Sequence, residues 1–228
     1  MNKVICITGA TDGLGLALVK FFCAEHVVVA ISKNAEKLNE IKNTLNVQTY
    51  VCDVSDYQQV QSVMRNITSE NKRIDVLVNS AGVLSDGELD AVSYEEIKRA
   101  IDVNLTGLIN TTKAVVSQMK KQKEGLIINI NSQASLGGGM AEKSIYNASK
   151  FGVMGFSKCL QPELAKYCVK VTDIFPGRMQ TNMFGKIGLK RDMSTALKLE
   201  DVAKTIDYLI NLPQDVVIPE IAIKHIKN

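Results

Sequence analysis

The feature that most constrains the fold of this chain is a regular alternation between two hydrophobic periods. Short β-branched and apolar runs recur at residues 4–7, 27–31, 47–52, 74–78, 126–130, 169–175 and 216–223. Such runs are typical of strands that are buried on both faces. The stretches between them place apolar residues three or four positions apart, as in helices with one buried face. They include single predicted helices over 95–121, 144–167 and 200–212.

A chain that alternates strand and helix in this order builds a parallel α/β sheet. We therefore predict a Rossmann-type, doubly wound parallel sheet of about seven strands, arranged in three αβα layers. Neither an internal repeat nor a linker-like change in composition interrupts residues 1–228. The prediction is accordingly one domain over that whole range.

Composition and charge exclude several function classes. The net charge of +3 is too small to predict a nucleic-acid groove or an anionic membrane surface as partner. The five cysteines are scattered without a C-x-x-C pair, which indicates reduced thiols in the cytoplasm. The sequence contains no run of the roughly 18 apolar residues needed for a membrane-spanning helix. Only two histidines are present, so a metal site is not predicted.

A glycine-rich turn follows the first predicted strand and precedes a helix. Its glycines are spaced G-x-x-x-G-x-G. A turn of this kind brings backbone N–H groups and the positive end of a helix close to a pyrophosphate. We predict a dinucleotide contact at Gly9, Thr11, Asp12, Gly13, Leu14 and Gly15.

The residues after the second and third strands bear on which dinucleotide binds. Lys33 follows Ser32 at the position that meets the adenosine ribose, and a cation there favours the 2′-phosphate of NADP. NAD stays an alternative for two reasons. Lys33 could equally be a solvated residue at a helix start, and the negative charge of Asp12 would disfavour a 2′-phosphate nearby. Asp53, with Val54 beside it, is placed to contact the adenine. The competing interpretation makes Asp53 a turn residue and Ser55 a helix N-cap.

Tyr146 and Lys150 lie four residues apart in a predicted helix and therefore on one face of it. A nearby ammonium typically lowers a phenol pKa by about 1–3 units, which would make Tyr146 a usable acid or base. A solvated pair on a helix surface is the alternative.

These two residues belong to a longer series of motifs. In order, they are residues 8–15, Asn79-Ser80-Ala81-Gly82, Asn104, Ser132, Tyr146 to Lys150, and Pro176-Gly177. With them, the chain resembles the short-chain dehydrogenase/reductase family over essentially its whole length. The resemblance implies an NAD(P)-dependent oxidoreductase that moves hydride between nicotinamide and a carbonyl or secondary alcohol. It also implies a homodimer or homotetramer.

The resemblance implies a role for each motif residue. Tyr146 would transfer the proton, and Lys150 would lower its pKa and bind the nicotinamide ribose. Ser132 would hold the substrate oxygen, while Asn104 would support a water linked to the lysine. The implied cofactor contacts are Gly9, Gly13, Gly15, Asp53, Asn79, Ala81, Gly82, Tyr146, Lys150, Pro176, Gly177 and Thr181.

Two departures from the family pattern affect these assignments. Ser80 stands where the family usually has a second asparagine. The interval between Ser132 and Tyr146 is one residue longer than expected and contains Gly138 and Gly139, so Ser135 is an alternative to Ser132.

Residues 178–198 are predicted to form a substrate lid, because apolar and basic side chains alternate there. Lid cations such as Lys186 and Arg191 would suit an anionic substrate, for example a short hydroxy or keto acid. A non-catalytic NADP-binding sensor or scaffold is the alternative function. Loss of Tyr146 or Lys150 would have favoured it, and both are present.

Overall fold

A sheet of seven parallel strands organises the computed structural model, which describes residues 2–137 and 141–227. Gly138 and Gly139 of the interval before Tyr146 lie outside the described residues. The strands are β1 (Val4–Thr8), β2 (Val27–Ser32), β3 (Gln48–Val51), β4 (Val76–Asn79), β5 (Gly125–Ile130), β6 (Val169–Pro176) and β7 (Glu220–Ile223). Their order across the sheet is β3-β2-β1-β4-β5-β6-β7, which confirms the predicted architecture.

Helices cover both faces of the sheet. They are α1 (Gly13–Phe22), α2 (Ala35–Thr44), α3 (Tyr57–Asn71), α4 (Tyr94–Ile101), α5 (Gly107–Gln122), α6 (Ser144–Ala165) and α7 (Leu199–Ile210). On one face, Leu18 of α1 and Ile206 of α7 share a core cluster with Ile5. On the other, Met64 of α3 and Val115 of α5 pack with Cys6. Alternate residues of β1 thus enter opposite cores, which is why the strand is apolar throughout.

The strand order reverses direction between β1 and β4. From β1 the chain builds outward to β2 and β3, and then returns to place β4 on the other side of β1. The carboxyl ends of these two neighbours therefore open into a crevice at a topological switch point, where ligands bind in open α/β sheets. The glycine turn follows β1 directly and so lies at this crevice.

The predicted single helix over 95–121 is wrong in one respect. Helix α4 ends at Ile101, residues Asp102–Thr106 form a π-helical turn, and α5 begins at Gly107. The widened turn contains Asn104, whose side chain bonds to Val83 and Ser149. A π turn inserts one residue into the helical repeat, a feature that frequently marks functional sites. Hydrophobic periodicity does not register a single inserted residue, which explains the error.

The last strand is shorter than predicted. Residues 216–219 precede β7 as irregular chain, in which Val216 N donates to Pro213 O. Pro219 lacks an N–H, so it cannot donate to a strand ladder. Pairing with β6 starts at Glu220, opposite Asp173.

Candidate active site

Close backbone packing determines the shape of the glycine turn. Gly9 has φ +66°, and a Cβ there would lie 2.8 Å from Ala81 Cα. A Cβ on Gly15 would collide with the Gly9 carbonyl. The first intrahelical bond of α1 runs from Leu16 N to Asp12 O, so the N–H groups of Leu14 and Gly15 precede the helical ladder. These donors at the positive end of a helix fit a phosphate group.

Thr8, the last residue of β1, ties this turn to the loop after β4. Its hydroxyl oxygen lies 3.1 Å from both Ser80 N and Ala81 N, each of which donates to it. The predicted residues Gly9 and Ala81 are thereby brought together. Ser80 takes part through its backbone, so the replacement of the family's usual asparagine leaves this contact intact.

Asp12, which has the wrong sign for a phosphate site, is neutralised by the predicted lid. Its carboxylate caps α1 by accepting from Gly13 N at 2.7 Å, and Lys186 Nζ lies 2.5 Å from its other oxygen. The hydrogen bond from Lys186 lowers the pKa of Asp12 well below its usual range. Thr181 also reaches the turn, since a Cβ on Gly13 would lie 3.2 Å from its methyl group. Two residues of the segment 178–198, Thr181 and Lys186, therefore contact the predicted cofactor turn.

The predicted ribose and adenine contacts form a rim at the ends of β2 and β3, in which Ser32 is buried and Lys33 is exposed. Ser32 Oγ lies 2.8 Å from Thr11 Oγ1, which joins the glycine turn to the end of β2. Lys33 Nζ is 3.9 Å from Asp53, and the Lys33 side chain is 66% exposed. Lys37 on α2 also lowers the pKa of Asp12 through its charge. Two cations, one of which sequence reasoning did not single out, thus lie near this rim.

Asp53 is a turn residue in this structure, but Ser55 is not the helix cap. One Asp53 oxygen accepts from both the N–H and the hydroxyl of Ser55. The N-cap of α3 is Asp56, whose carboxylate accepts from Gln58 N and Gln59 N. Ser55 lies one residue before this cap position, and its hydroxyl donates to Asp53 instead. Val54 lies next to this turn, and its carbonyl accepts from Asn110 at 3.0 Å.

Tyr146 and Lys150 meet the end of β5 from helix α6. Ser132 acts on the Tyr146 hydroxyl as a hydrogen-bonding neighbour, which opposes the rise in pKa that burial causes in Tyr146. Lys150 Nζ donates to Ile130 O at 2.8 Å and lies 5.9 Å from the centre of the Tyr146 ring. The structure thus brings together three of the four residues predicted to carry the chemistry.

The predicted lowering of the Tyr146 pKa is not found. Burial raises the pKa of Tyr146, and the hydrogen bond with Ser132 opposes that rise only in part. Burial also lowers the pKa of Lys150 to about 8. The ammonium is bonded to a backbone carbonyl rather than to the phenol, so the cost of burying both groups outweighs their attraction.

Ser132, rather than Ser135, faces Tyr146. The Ser135 hydroxyl lies 2.8 Å from Ser132 O and 3.0 Å from Asn131 Oδ1, and the residue is 2% exposed. Ser132 Oγ accepts from Ala134 N at 3.1 Å and keeps its contact with Tyr146.

Asn104 holds the loop after β4 against helix α6. Its Oδ1 accepts from Val83 N at 2.8 Å, while Nδ2 lies 2.9 Å from Val83 O and 3.0 Å from Ser149 Oγ. Ser149 Oγ in turn donates to Tyr146 O at 2.7 Å. The fourth predicted residue is therefore linked to the backbone of Tyr146 through a single side chain.

The remaining predicted cofactor residues lie at the strand ends around this group. Asn79 at the end of β4 donates to Thr112 and Asn129 and accepts from Thr111, all within 3.0 Å. Gly82 lies three residues after Asn79, and a Cβ added there would be 3.5 Å from Asn104 Oδ1. Pro176 ends β6, and Gly177 N donates to Ile223 O at 2.8 Å.

Comparison with known proteins places this arrangement in a family. A family model described as short chain dehydrogenase matches residues 3–192. The chain is a member of the short-chain dehydrogenase/reductase family. As such it is an oxidoreductase of a group in which NAD(P) is the usual cofactor.

The short-chain dehydrogenase relatives span nearly the whole chain. Carbonyl reductase family member 4 of Xenopus tropicalis is 33% identical over 222 residues, which cover 93% of each chain. A 3-oxoacyl-acyl-carrier-protein reductase of Thermotoga maritima is 35% identical over 223 residues, covering 91% of this chain and 90% of the relative. The solved closed form of a serine dehydrogenase complexed with NADP+ matches with a TM-score of 0.89 at 29% identity, covering 99% of this chain and 96% of that one.

The structure also reveals functional candidates that sequence reasoning missed. Lys143, at the N-terminus of α6, forms a buried ion pair with Asp86. Asp173 is 1% exposed on β6. An acid within the otherwise mostly apolar run 169–176 is the one signal that could have indicated it. In the described part of the chain, every helix is too short or too polar to cross a membrane.

Proposed function

We propose that this short-chain dehydrogenase interconverts a carbonyl and a secondary alcohol with NADP as cofactor, and that Tyr146 transfers the proton. The observation that carries the proposal is that Tyr146, Ser132 and the buried Lys150 meet at the end of β5. These three residues lie at the edge of the sheet where the glycine turn is found. A carbonyl oxygen placed between Ser132 and Tyr146 can accept two hydrogen bonds there.

The residues at the switch point fit a dinucleotide. Turn 9–15 offers the N–H groups of a helix start, and the backbone contacts at Gly9 and Gly15 leave no room for side chains. Thr11, Ser32 and Lys33 would hold the adenosine end, with Asp53 and Val54 beside the adenine. Thr181 and Gly177 would border the nicotinamide. A bound nicotinamide supplies the hydride.

The protein's own part in the reaction is binding and proton transfer. Lys150 is placed to bind a ribose hydroxyl, and Ser132 to hold the substrate oxygen. Tyr146 then gives its proton to the developing alkoxide, or takes it from the alcohol in the reverse direction. A positive charge close to the Tyr146 hydroxyl favours the phenolate, which is the form that alcohol oxidation requires.

The preference for NADP over NAD is supported by the rim charges. Lys33 and Lys37 are both cations near the ribose position, and the nearest carboxylate, Asp53, lies 3.9 Å from Lys33. A 2′-phosphate adds negative charge where those cations can pair with it. The serine dehydrogenase that matches this fold was solved with NADP+.

A short hydroxy or keto acid is the substrate class that the site supports best. Lys143 lies one helical turn before Tyr146 and is 5% exposed. The charge of Arg191, from the lid, lowers the pKa of Lys143 further below the value that burial sets. Lys143 pairs with one carboxylate, Asp86, whereas Arg191 adds a second positive charge near enough to act on Lys143. A substrate carboxylate would balance that excess.

We further propose that the chain forms a homodimer or homotetramer through helix α6. Its outer face exposes Ala148, Phe151, Gly155 and Cys159, which are apolar or small. Light scattering after gel filtration measures the oligomeric state directly. A monomer at micromolar concentration would overturn this part of the proposal.

Tyr146→Phe tests the catalytic assignment. The variant should lose about 10²–10⁴-fold in kcat, because it removes the proton donor, yet bind NADPH as the wild type does. Tyr94→Phe, at a tyrosine that is 73% exposed, is the matched control. Turnover is measured by NADPH absorbance with a panel of carbonyls that includes short keto acids.

Each outcome of that experiment has a distinct meaning. Wild-type turnover by Tyr146→Phe would refute the catalytic role. Tight NADPH binding by the wild type, with no substrate of the panel converted, would favour the sensor or scaffold.

A further inference from the structure

A buried carboxylate on β6 lies behind the catalytic residues and has no assigned role. Asp173 is 1% exposed. One of its oxygens accepts from Ser157 Oγ at 2.6 Å and from Asn129 Nδ2 at 3.1 Å. The other accepts from Asn131 Nδ2 at 3.3 Å. Such a group is expensive to bury, so the chain has to provide several donors to accommodate it.

The carboxylate fixes the orientation of its neighbour Asn131. An ionised carboxylate only accepts hydrogen bonds, so the amide NH₂ of Asn131 must face Asp173 and its oxygen must face the other way. That oxygen accepts from Ser132 N at 2.9 Å and lies 3.0 Å from Ser135 Oγ. Asp173 is thus connected, through one side chain, to the backbone of the residue that contacts Tyr146.

Asp173 also lies close to Lys150, because Lys150 Nζ donates to Ile130 O and the next residue, Asn131, donates to Asp173. Its negative charge raises the pKa of Lys150, against burial, which lowers that pKa to about 8. Lys150 otherwise faces a neutral carbonyl, Ile130 O, and the ring of Tyr146.

The other groups around Asp173 are neutral or already paired. Ser157 from α6 and Asn129 from β5 are uncharged. Burial raises the pKa of Asp173, its three hydrogen bonds oppose that rise, and the charge of Glu220 from β7 adds a smaller increase. Glu220 is itself paired with Lys158 at 3.4 Å.

We propose that Asp173 is a positioning residue for the oxidoreductase site: through Asn131 it fixes the Ser132 turn, and its charge stabilises the Lys150 ammonium. This inference rests on the proposed function. It adds that the geometry and the charge of the site depend on one group that touches neither substrate nor cofactor. The two effects can be separated, because only one of them requires Asn131.

Asp173→Asn is the principal test. The substitution keeps the shape of the side chain and removes its charge. It also places an NH₂ group among the hydrogen-bond donors that surround Asp173, so kcat should fall by about tenfold or more. The Lys150 titration, followed by heteronuclear NMR of the lysine side chains, should move to lower pH because a stabilising negative charge is gone. The alkaline limb of kcat/KM should move in the same direction. Unchanged titration in the folded variant would overturn the charge effect.

Matched variants separate charge from position. Glu220→Gln removes the carboxylate directly opposite Asp173 in the sheet register and should leave both readouts near the wild-type values. Asn131→Ala keeps the charge of Asp173 but frees the Ser132 turn, so kcat should fall while the Lys150 titration stays in place. An Asn131→Ala enzyme with wild-type kcat would overturn the positioning effect.

If Asp173→Asn does not fold, Asp173→Ser replaces it, because serine removes the same charge and its hydroxyl can still accept from a neighbouring donor. Its Lys150 titration should also move to lower pH, and an unchanged midpoint would count against the inference. If the wild type converts no carbonyl, the proposed function fails, whereas the NMR titration still decides the effect of Asp173 on Lys150.

Discussion

The two sides of the crevice hold their polar groups in different ways. Beyond β1, β2 and β3, the charged groups are exposed, as the 66% exposed Lys33 and the 58% exposed Lys186 show. Beyond β4, β5 and β6, Asn104, Lys150 and Asp173 are all 5% exposed or less, and each is hydrogen-bonded. The first side depends on close backbone packing, and the second on buried polar contacts.

This difference matters because the two kinds of contact differ in energy. An exposed ion pair stabilises a protein by about 0–1 kcal/mol, whereas an unsatisfied buried polar group costs about 1–3 kcal/mol. Substitutions of rim cations should therefore change cofactor selectivity with little effect on folding. Substitutions at the glycine turn or in the buried group should change stability as well.

The largest effect is expected at Gly9. Gly9→Ala places a Cβ 2.8 Å from Ala81 Cα at a φ of +66°, so it combines backbone strain with a clash and should cost about 4 kcal/mol. Gly188→Ala is the matched control, since Gly188 has φ +76° but a Cβ added there would meet nothing within 4 Å. It should cost about 1 kcal/mol. Urea unfolding compares the two, and equal costs would show that packing does not define the turn.

A second effect, of opposite sign, is expected at Lys150. Burial lowers its pKa from 10.5 to about 8, so the folded protein binds this proton less tightly than the unfolded chain does. Below pH 8 the charged lysine costs about 3 kcal/mol, and that cost disappears as the pH rises from 8 to 10.5. Lys150→Met removes the cost but leaves Ile130 O without its donor, at about 1 kcal/mol.

The Lys150→Met variant should therefore be inactive yet about 2 kcal/mol more stable than the wild type at pH 7. The gain should vanish near pH 10.5, because the wild-type lysine is then neutral. Urea unfolding at both pH values measures the difference, and Lys158→Met, at an exposed lysine, is the control. A stability loss of equal size at both pH values would contradict the burial cost.

The smallest effect is expected at the rim. Lys33→Ala should lower the ratio of kcat/KM for NADP to that for NAD by about tenfold, which corresponds to about 1.4 kcal/mol. Stability should change little, since Lys33 is exposed and its ion pair is 3.9 Å long. Lys204→Ala, at an exposed lysine of α7 that pairs with Glu200, should leave the ratio unchanged. An unaltered ratio in Lys33→Ala would assign the selectivity to other residues, with Lys37 the next to substitute.

The alternation of hydrophobic periods was sufficient to predict the sheet and its layers. Every strand of the described residues buries apolar side chains, at least in part. The apolar runs of the sequence therefore correspond to the strands of the sheet. The structure also brings Ser132, which the family resemblance indicated, together with Tyr146 and Lys150 at one strand end. Both predictions concern residues that are close in sequence or that follow strands of the same parallel sheet. The carboxyl ends of such strands meet at one edge of the sheet.

What sequence reasoning missed depends on burial and on distant contacts. The direction of the Tyr146 pKa follows from how deeply the phenol is enclosed, and no local pattern measures that. The pair of Lys186 with Asp12 joins residues far apart in the chain. Asp173 looked like one acid in a strand, and its importance appears only once β5 and α6 supply donors to it.

The π turn at Asp102–Thr106 limits where this chain can gain or lose residues. Deleting one of its residues would restore a regular helix but rotate everything beyond it by about 100°. The side chains of α5 that face the sheet, among them Val115 and Met119, would then turn away from their core. Insertions and deletions should therefore be tolerated better in segments such as 178–198, where they leave the residue count of the helix that carries Asn104 unchanged.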